Sequence, residues 1–137
     1  MDLVRRPEEF DVIVASNLFG DILTDLGAGI SGSMGLAPST NINPTGEYPS
    51  MFEPVHGSAF DIMGKEIANP IGAVLSWELL WDYLDEQAVA RTLRTAVAKQ
   101  LADTDAPRTP DIGGDSGTEQ VTDDLRVRIT KWCSQSN

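Results

Sequence analysis

"FDVIVASNLFGDILTDLGAG", Phe10 to Gly29, joins two different patterns. Phe10 to Ala15 is a short apolar run rich in β-branched residues, which predicts a buried strand. Ser16 and Asn17 stop that run and can cap a helix directly after it. From Phe19 to Ile30 the spacing becomes helical: Ile22, Leu23, Leu26 and Ile30 cluster on one side, predicting a packed stripe. Asp21 and Asp25 fall on the opposite side, with Ala28 beside them. A strand that ends at a polar turn and feeds a helix is the unit that builds ligand crevices at strand ends. The expected fold class is therefore α/β.

Asp21 and Asp25 are one helical turn apart, a like-charge spacing that is unfavourable unless something offsets it. A solvated face near the helix N-terminus is one way to tolerate the pair. A shared divalent cation is another, and hard carboxylate oxygens suit Mg²⁺ or Mn²⁺. Thr24, Gly27, Ala28 and Gly29 surround the pair, so the face is open to close approach.

Further along, "SMGLAPSTNINPTGEYPSMFEPVHGSA", Ser33 to Ala59, is rich in turn formers. It leaves room for a short strand at Met34 to Ala37 and another starting near Met51. "IGAVLSWELLWDYL", Ile71 to Leu84, is apolar nearly all round and predicts a largely buried helix. Asp85 is the expected cap of the next helix, whose Val89, Leu93, Val97 and Leu101 repeat every fourth residue. "DTDAPRTPDIGGDSG" reads as a loop. Thr118 to Trp132 reads as a last helix, with Glu119, Asp123 and Asp124 in its first half, where the dipole favours acids.

The 137 residues suffice for one modest core, and 41% hydrophobic content argues against disorder. The net charge of −11 makes nucleic acid and anionic membranes poor partners. The acid excess fits either a high-salt habitat or an ordinary acidic protein. No stretch is long and apolar enough for a membrane span. "MDLVRRPEEF" has no apolar signal region, so a cytoplasmic protein is expected. Cys133 is the only cysteine, excluding an internal disulfide, and its place beside "SQSN" reads as a spectator.

A second constellation is "FEPVHGSAFDIMGKEIANP", Phe52 to Pro70, which holds the only histidine, His56. Gly57, Ser58 and Ala59 are small enough for backbone N–H groups to reach a phosphate. An imidazole can stack on a base, and Asp61 can hold ribose hydroxyls. A structural loop with a surface histidine has the same composition. The G-x-G-x-x-G fingerprint of a Rossmann site is absent.

Together these stretches resemble the β-decarboxylating dehydrogenases of 2-hydroxy acids, the family of isopropylmalate, isocitrate, homoisocitrate and tartrate/D-malate dehydrogenases. "SNLFGDILTDLGAG" is similar to their metal-binding helix and "FEPVHGSAFDIMGKEIANP" to their NAD-binding loop. "LAPSTNINP" and "IANPI" add to a likeness strongest toward the tartrate/D-malate branch. The resemblance runs from about Met1 to the final helix. It implies the C-terminal portion of an isopropylmalate dehydrogenase-like two-domain fold. Residues 1–31 would belong to the second, dimer-forming domain and 32–137 to the nucleotide-binding domain.

By the same resemblance, Asp21 and Asp25 bind Mg²⁺ or Mn²⁺ with the substrate's 2-hydroxyl and carboxylate. His56 and Asn69 meet adenine, Gly57, Ser58 and Ala59 run along the cofactor, and Asp61 selects NAD over NADP. Glu53 falls near the nicotinamide side. The implied reaction is oxidative decarboxylation of a 2-hydroxy dicarboxylic acid such as D-malate, tartrate or 3-isopropylmalate, by a homodimeric complete protein. Phe60 and Glu66 depart from the family pattern, and Asp2 does not match its third metal aspartate. The family's catalytic lysine, tyrosine and substrate arginines match nothing in this sequence and are expected upstream. No catalytic residue is assigned on that basis, and poor autonomous stability is expected. The alternative is a non-catalytic nucleotide- or partner-binding module.

Overall fold

The computed structural model describes residues 1–133; the Cys133 side chain and the "SQSN" tail lie outside the described residues. Five α-helices and one short hairpin run in the order α1 (Asp2–Arg5), α2 (Asn17–Ile30), β1 (Pro38–Asn41), β2 (Met51–Pro54), α3 (Ile71–Tyr83), α4 (Gln87–Ala102) and α5 (Thr118–Cys133). Single 3₁₀ turns fill Pro7–Glu9, Met34–Leu36 and Pro110–Ile112.

The core is where α3, α4 and α5 meet. Ile71, Val97, Val121 and Leu125 are buried together, with Leu36, Val74, Leu75 and Leu101 packed around them. The every-fourth-residue stripe of α4 does this: Leu93 and Val97 are buried and Leu101 half-buried, although Val89 stays exposed. Glu78 of α3 is buried and is met by the Arg94 guanidinium of α4. A buried carboxylate left unpaired would be costly, so this contact ties the two helices together. Arg128 of α5 reaches Asp103 at 2.8 Å and Asp124 at 2.6 Å, fastening α5 to the end of α4.

The hairpin is antiparallel, with Ser39 opposite Glu53 and Thr40 opposite Phe52. Its connection turns on Asn43, whose Oδ1 accepts from both the backbone N–H and the hydroxyl of Thr45. The Phe52 ring packs on Tyr83 with centroids 5.5 Å apart, seating the hairpin on α3.

Several expectations need correction. Phe10–Ala15 is not a strand; it is irregular, and Val12 and Val14 are 81% and 94% exposed. Among the described residues the only sheet is β1–β2, so this run has no neighbour to take its backbone hydrogen bonds. The α2 stripe is also unpacked: Ile22, Leu26 and Ile30 are exposed, Leu23 is half-buried and Ala28 alone is buried. Ser16 is the α2 cap position, but its side chain makes no capping bond.

Met34–Leu36 is a 3₁₀ turn rather than a strand, because Ser33 caps it by accepting from the Gly35 N–H at 3.0 Å. The strand begins only at Pro38. In α3, expected to be largely buried, Ile71, Gly72, Ser76 and Glu78 are buried while Ala73, Trp77, Asp82 and Tyr83 are exposed. Asp85 does not cap α4; it occupies the left-handed region at φ 62°, and Glu86 holds the cap position without a side-chain bond. No helix among the described residues is long and apolar enough to cross a membrane.

Candidate functional site

A cleft of about 680 Å³ opens between the 33–35 turn, the loop after β2 and the approach to α3. Its lining includes the segments His56 to Ala59 and Glu66 to Asn69. The loop closes on itself through the Ile62 N–H to the Ala59 carbonyl at 3.0 Å and the Lys65 N–H to the Ile62 carbonyl at 3.1 Å. Ala59, Gly64 and Glu66 all carry positive φ, at 41°, 73° and 57°. The loop's far end is pinned to the start of α5: the Thr118 N–H donates to the Glu66 carbonyl at 2.8 Å and the Thr118 hydroxyl to the Ala68 carbonyl at 2.5 Å.

The floor of the cleft is a polar knot. Asn69 is buried; its Nδ2 donates to Asp111 Oδ2 at 2.9 Å and its Oδ1 accepts from the Ile71 N–H at 3.0 Å, at the first turn of α3. The Ser33 hydroxyl donates to the same Asp111 oxygen at 2.5 Å. Partial burial opposes ionisation of Asp111, but hydrogen bonds from Ser33, Thr109 and Asn69 outweigh it, so its carboxyl lies below the usual carboxylate range. Thr109 is itself buried, and its hydroxyl meets no partner of good hydrogen-bond geometry, so its share of this effect is weak. Gly35 fits against the knot only because it has no side chain: a Cβ there would lie 2.7 Å from Asn69 Cβ and 2.8 Å from Asp111 Oδ2.

Of the residues singled out in the sequence, His56, Gly57, Ser58, Ala59 and Asn69 line this one cleft. The His56 ring is half-buried, with Nδ1 3.2 Å from the Gly57 carbonyl oxygen. Asp61 is exposed and lies outside the lining, although Ile62 beside it is part of it. Glu53 is an exposed β2 residue opposite Ser39, also outside the cleft. The sequence reading missed Ser33, Gly35 and Asp111. Asp111 lies 42 residues beyond Asn69 in a proline-rich loop, where no local pattern distinguishes it from other turn aspartates.

Asp21 and Asp25 stand on the exposed side of α2. The Thr24 hydroxyl between them is turned back to the Gly20 and Asp21 carbonyls, at 3.0 and 2.9 Å. Neither carboxylate is ion-paired among the described residues, and Cβ atoms built at Gly20, Gly27 and Gly29 would meet nothing. The two oxygen donors fit a hard divalent ion in kind, and such an ion takes about six ligands. Among the described residues no third His, Cys, Asp or Glu joins them, so they make a partial donor set. They do not line the cleft; α2 touches it through the Met34–Leu36 turn, which lies against both.

The isocitrate/isopropylmalate dehydrogenase family model matches residues 1–125. The chain is 53% identical over 128 residues to a probable tartrate dehydrogenase/decarboxylase of Bacillus subtilis, covering 93% of this chain and 36% of that protein. It is 50% identical over 125 residues to the decarboxylating D-malate dehydrogenase of Escherichia coli, covering 88% of this chain and 34% of that one. The crystal structure of isocitrate dehydrogenase from Methylococcus capsulatus superposes with a TM-score of 0.87 at 38% identity, over 94% of this chain and 38% of that one. The chain thus spans about a third of the length of the curated relatives it matches.

Proposed function

The chain belongs to the isocitrate/isopropylmalate dehydrogenase family, and from that premise we propose that it carries the cofactor and metal half-sites of an NAD-dependent, β-decarboxylating 2-hydroxy-acid dehydrogenase. The observation that carries this reading is the gathering of His56, Gly57, Ser58, Ala59 and Asn69 around one cleft. In it the imidazole offers a flat face to adenine, and the small residues let the backbone come close to the dinucleotide. Asp61, at the cleft's edge, accepts from both ribose hydroxyls and repels a 2′-phosphate, which favours NAD. Glu53 lies toward the nicotinamide.

Asp21 and Asp25 hold Mg²⁺ or Mn²⁺ in this reading, completed by ligands from substrate, water and groups outside this chain. When bound, such an ion supplies Lewis-acid polarisation of the substrate's 2-hydroxyl oxygen. The substrate class is a 2-hydroxy dicarboxylic acid of the D-malate, tartrate or 3-isopropylmalate type. The general base and the carboxylate clamps are contributed by sequence not present here. Residues 1–31 then form part of the second, dimer-forming domain, and the exposed Leu18, Phe19, Ile22 and Leu26 are covered in the complete homodimer. Residues 32–137 form the C-terminal part of the nucleotide domain, in line with a core drawn wholly from residues beyond 32.

The test is calorimetric titration of the chain with NAD. Saturable binding that Asp61→Lys weakens at least about tenfold is expected, since a carboxylate bonded to two hydroxyls is replaced by a cation. No binding by the folded chain would overturn the reading. Turnover of D-malate or tartrate by this chain alone would overturn the assignment of the catalytic groups to missing sequence.

A further inference from the structure

We propose that the Thr118 hydroxyl is a positioning group for dinucleotide binding, presetting the 66–69 segment of the cleft lining from the first turn of α5. The inference rests on the reading of the cleft as an adenine-dinucleotide site. Thr118 is not part of the lining, whereas Glu66, Ile67, Ala68 and Asn69 all are. Thr118 holds that segment twice: its N–H donates to the Glu66 carbonyl at 2.8 Å and its hydroxyl to the Ala68 carbonyl at 2.5 Å. The N–H is one of the first donors of α5, which have no acceptor inside their own helix. Here the cleft segment supplies the acceptor. A peptide unit is planar, so anchoring the Ala68 carbonyl also sets the direction of the Asn69 N–H.

The anchor is rigid. Val121 and Leu125, one and two turns further along α5, are buried in the core with Ile71 and Val97. Gly117 lets the helix start come close, since a Cβ there would lie 3.0 Å from the Glu66 carbonyl oxygen. The held segment needs such an anchor. Glu66 and Ala68 are exposed, and Glu66 sits at φ 57°, which a residue with a side chain leaves unless it is held. Asn69, at the segment's end, is buried and fixed separately by Asp111 and the Ile71 N–H. Loss of the hydroxyl therefore frees the Ala68 peptide and leaves the core contacts intact. A ligand must then order that backbone as it binds, and the ordering entropy is subtracted from its affinity.

The experiment titrates NAD calorimetrically into the wild-type chain, Thr118→Val, Thr118→Ser and Thr122→Val, each well below its own thermal melt. Thr118→Val keeps the side-chain shape and removes the hydroxyl, and it is expected to weaken NAD about fivefold. Thr118→Ser restores the donor and should bind within about twofold of wild type. The Thr122 hydroxyl bonds the Thr118 carbonyl at 2.7 Å, within α5 and away from the cleft segment. Thr122→Val thus loses a comparable bond and should leave NAD affinity within about twofold. Wild-type affinity in Thr118→Val overturns the role of Thr118 and leaves the cleft reading standing. Equal losses in Thr118→Val and Thr122→Val, or in Thr118→Val and Thr118→Ser, overturn it as well, since the effect then comes from α5 stability or side-chain size. If Thr118→Val does not fold, Thr118→Ala takes its place; failure of both to fold overturns the proposal, because the hydroxyl then serves the fold. If NAD does not bind the folded wild-type chain, the cleft reading falls and this inference with it.

Discussion

Helices α2 and α4 carry comparable apolar stripes and meet different fates. In α4, Leu93 and Val97 are 5% and 3% exposed; in α2, Ile22 and Leu26 are 56% and 40% exposed. Periodicity in both reports the same thing, a helix with one face meant for burial. What differs is the supply of partners. α4 lies between α3 and α5, while α2 meets little beyond α1 and the 34–36 turn. A helix of this length is marginal without packing, so the folding free energy of the chain is concentrated beyond residue 32.

The sharpest way to break that contrast is a pair of matched truncations. Leu125→Ala, at a fully buried core position, is expected to cost about 3 kcal/mol. Leu26→Ala on the open α2 face is expected to cost less than about 0.5 kcal/mol. Urea denaturation reads both. Equal losses would mean that the α2 stripe is packed in solution, by self-association, and a concentration-dependent midpoint would identify that cause.

Glycines give a second, smaller contrast with opposite signs. Gly35→Ala drives a methyl into the Asn69–Asp111 knot and is expected to cost about 1–3 kcal/mol. Gly27→Ala adds a methyl in open space on a helix and is expected to gain about 0.5–1 kcal/mol. Thermal melts followed by circular dichroism decide it. A gain at Gly35 would mean that the knot is loose and the cleft floor not preorganised.

The same division decides what could be read in advance. α3, α4 and α5 were legible because their partners are present, so pattern and packing agree. Phe10–Ala15 was misread because a β-branched run becomes a strand only beside another strand. The Met34–Leu36 turn was lost to a local event, the Ser33 hydroxyl accepting from Gly35, which competes with extended backbone. At the cleft, His56 to Ala59 and Asn69 were legible as one continuous motif. Asp111 was not, since only the folded chain carries it to Asn69, and nothing in "TPDIGG" signals that meeting. Glu66 was noticed as a departure in composition; its positive φ and its place in the cleft lining emerged only from the fold.

The smallest expected effect separates the two regions by their response to acid. Hydrogen bonds from Arg128 and from the Asp105 backbone lower the Asp103 carboxyl below its ordinary value of 3.8. Asp111 is lowered as well, by the donors of the knot. A carboxyl depressed in the folded state adds stability that is fully present above the ordinary value and is lost as pH falls through the folded one. The C-terminal region should therefore lose stability below about pH 4, and Asp103→Asn should flatten that acid limb. Among the described residues the N-terminal region has only exposed pairs, Arg6 with Asp2 and Glu9, which are worth little. Replacing Asp2 by Asn should leave the acid limb as it was. Denaturant midpoints at pH 3 and pH 6 measure both variants. An acid limb that moves with Asp2 and not with Asp103 would place a stabilising contact in the N-terminal segment, which contributes nothing to the core cluster among the described residues.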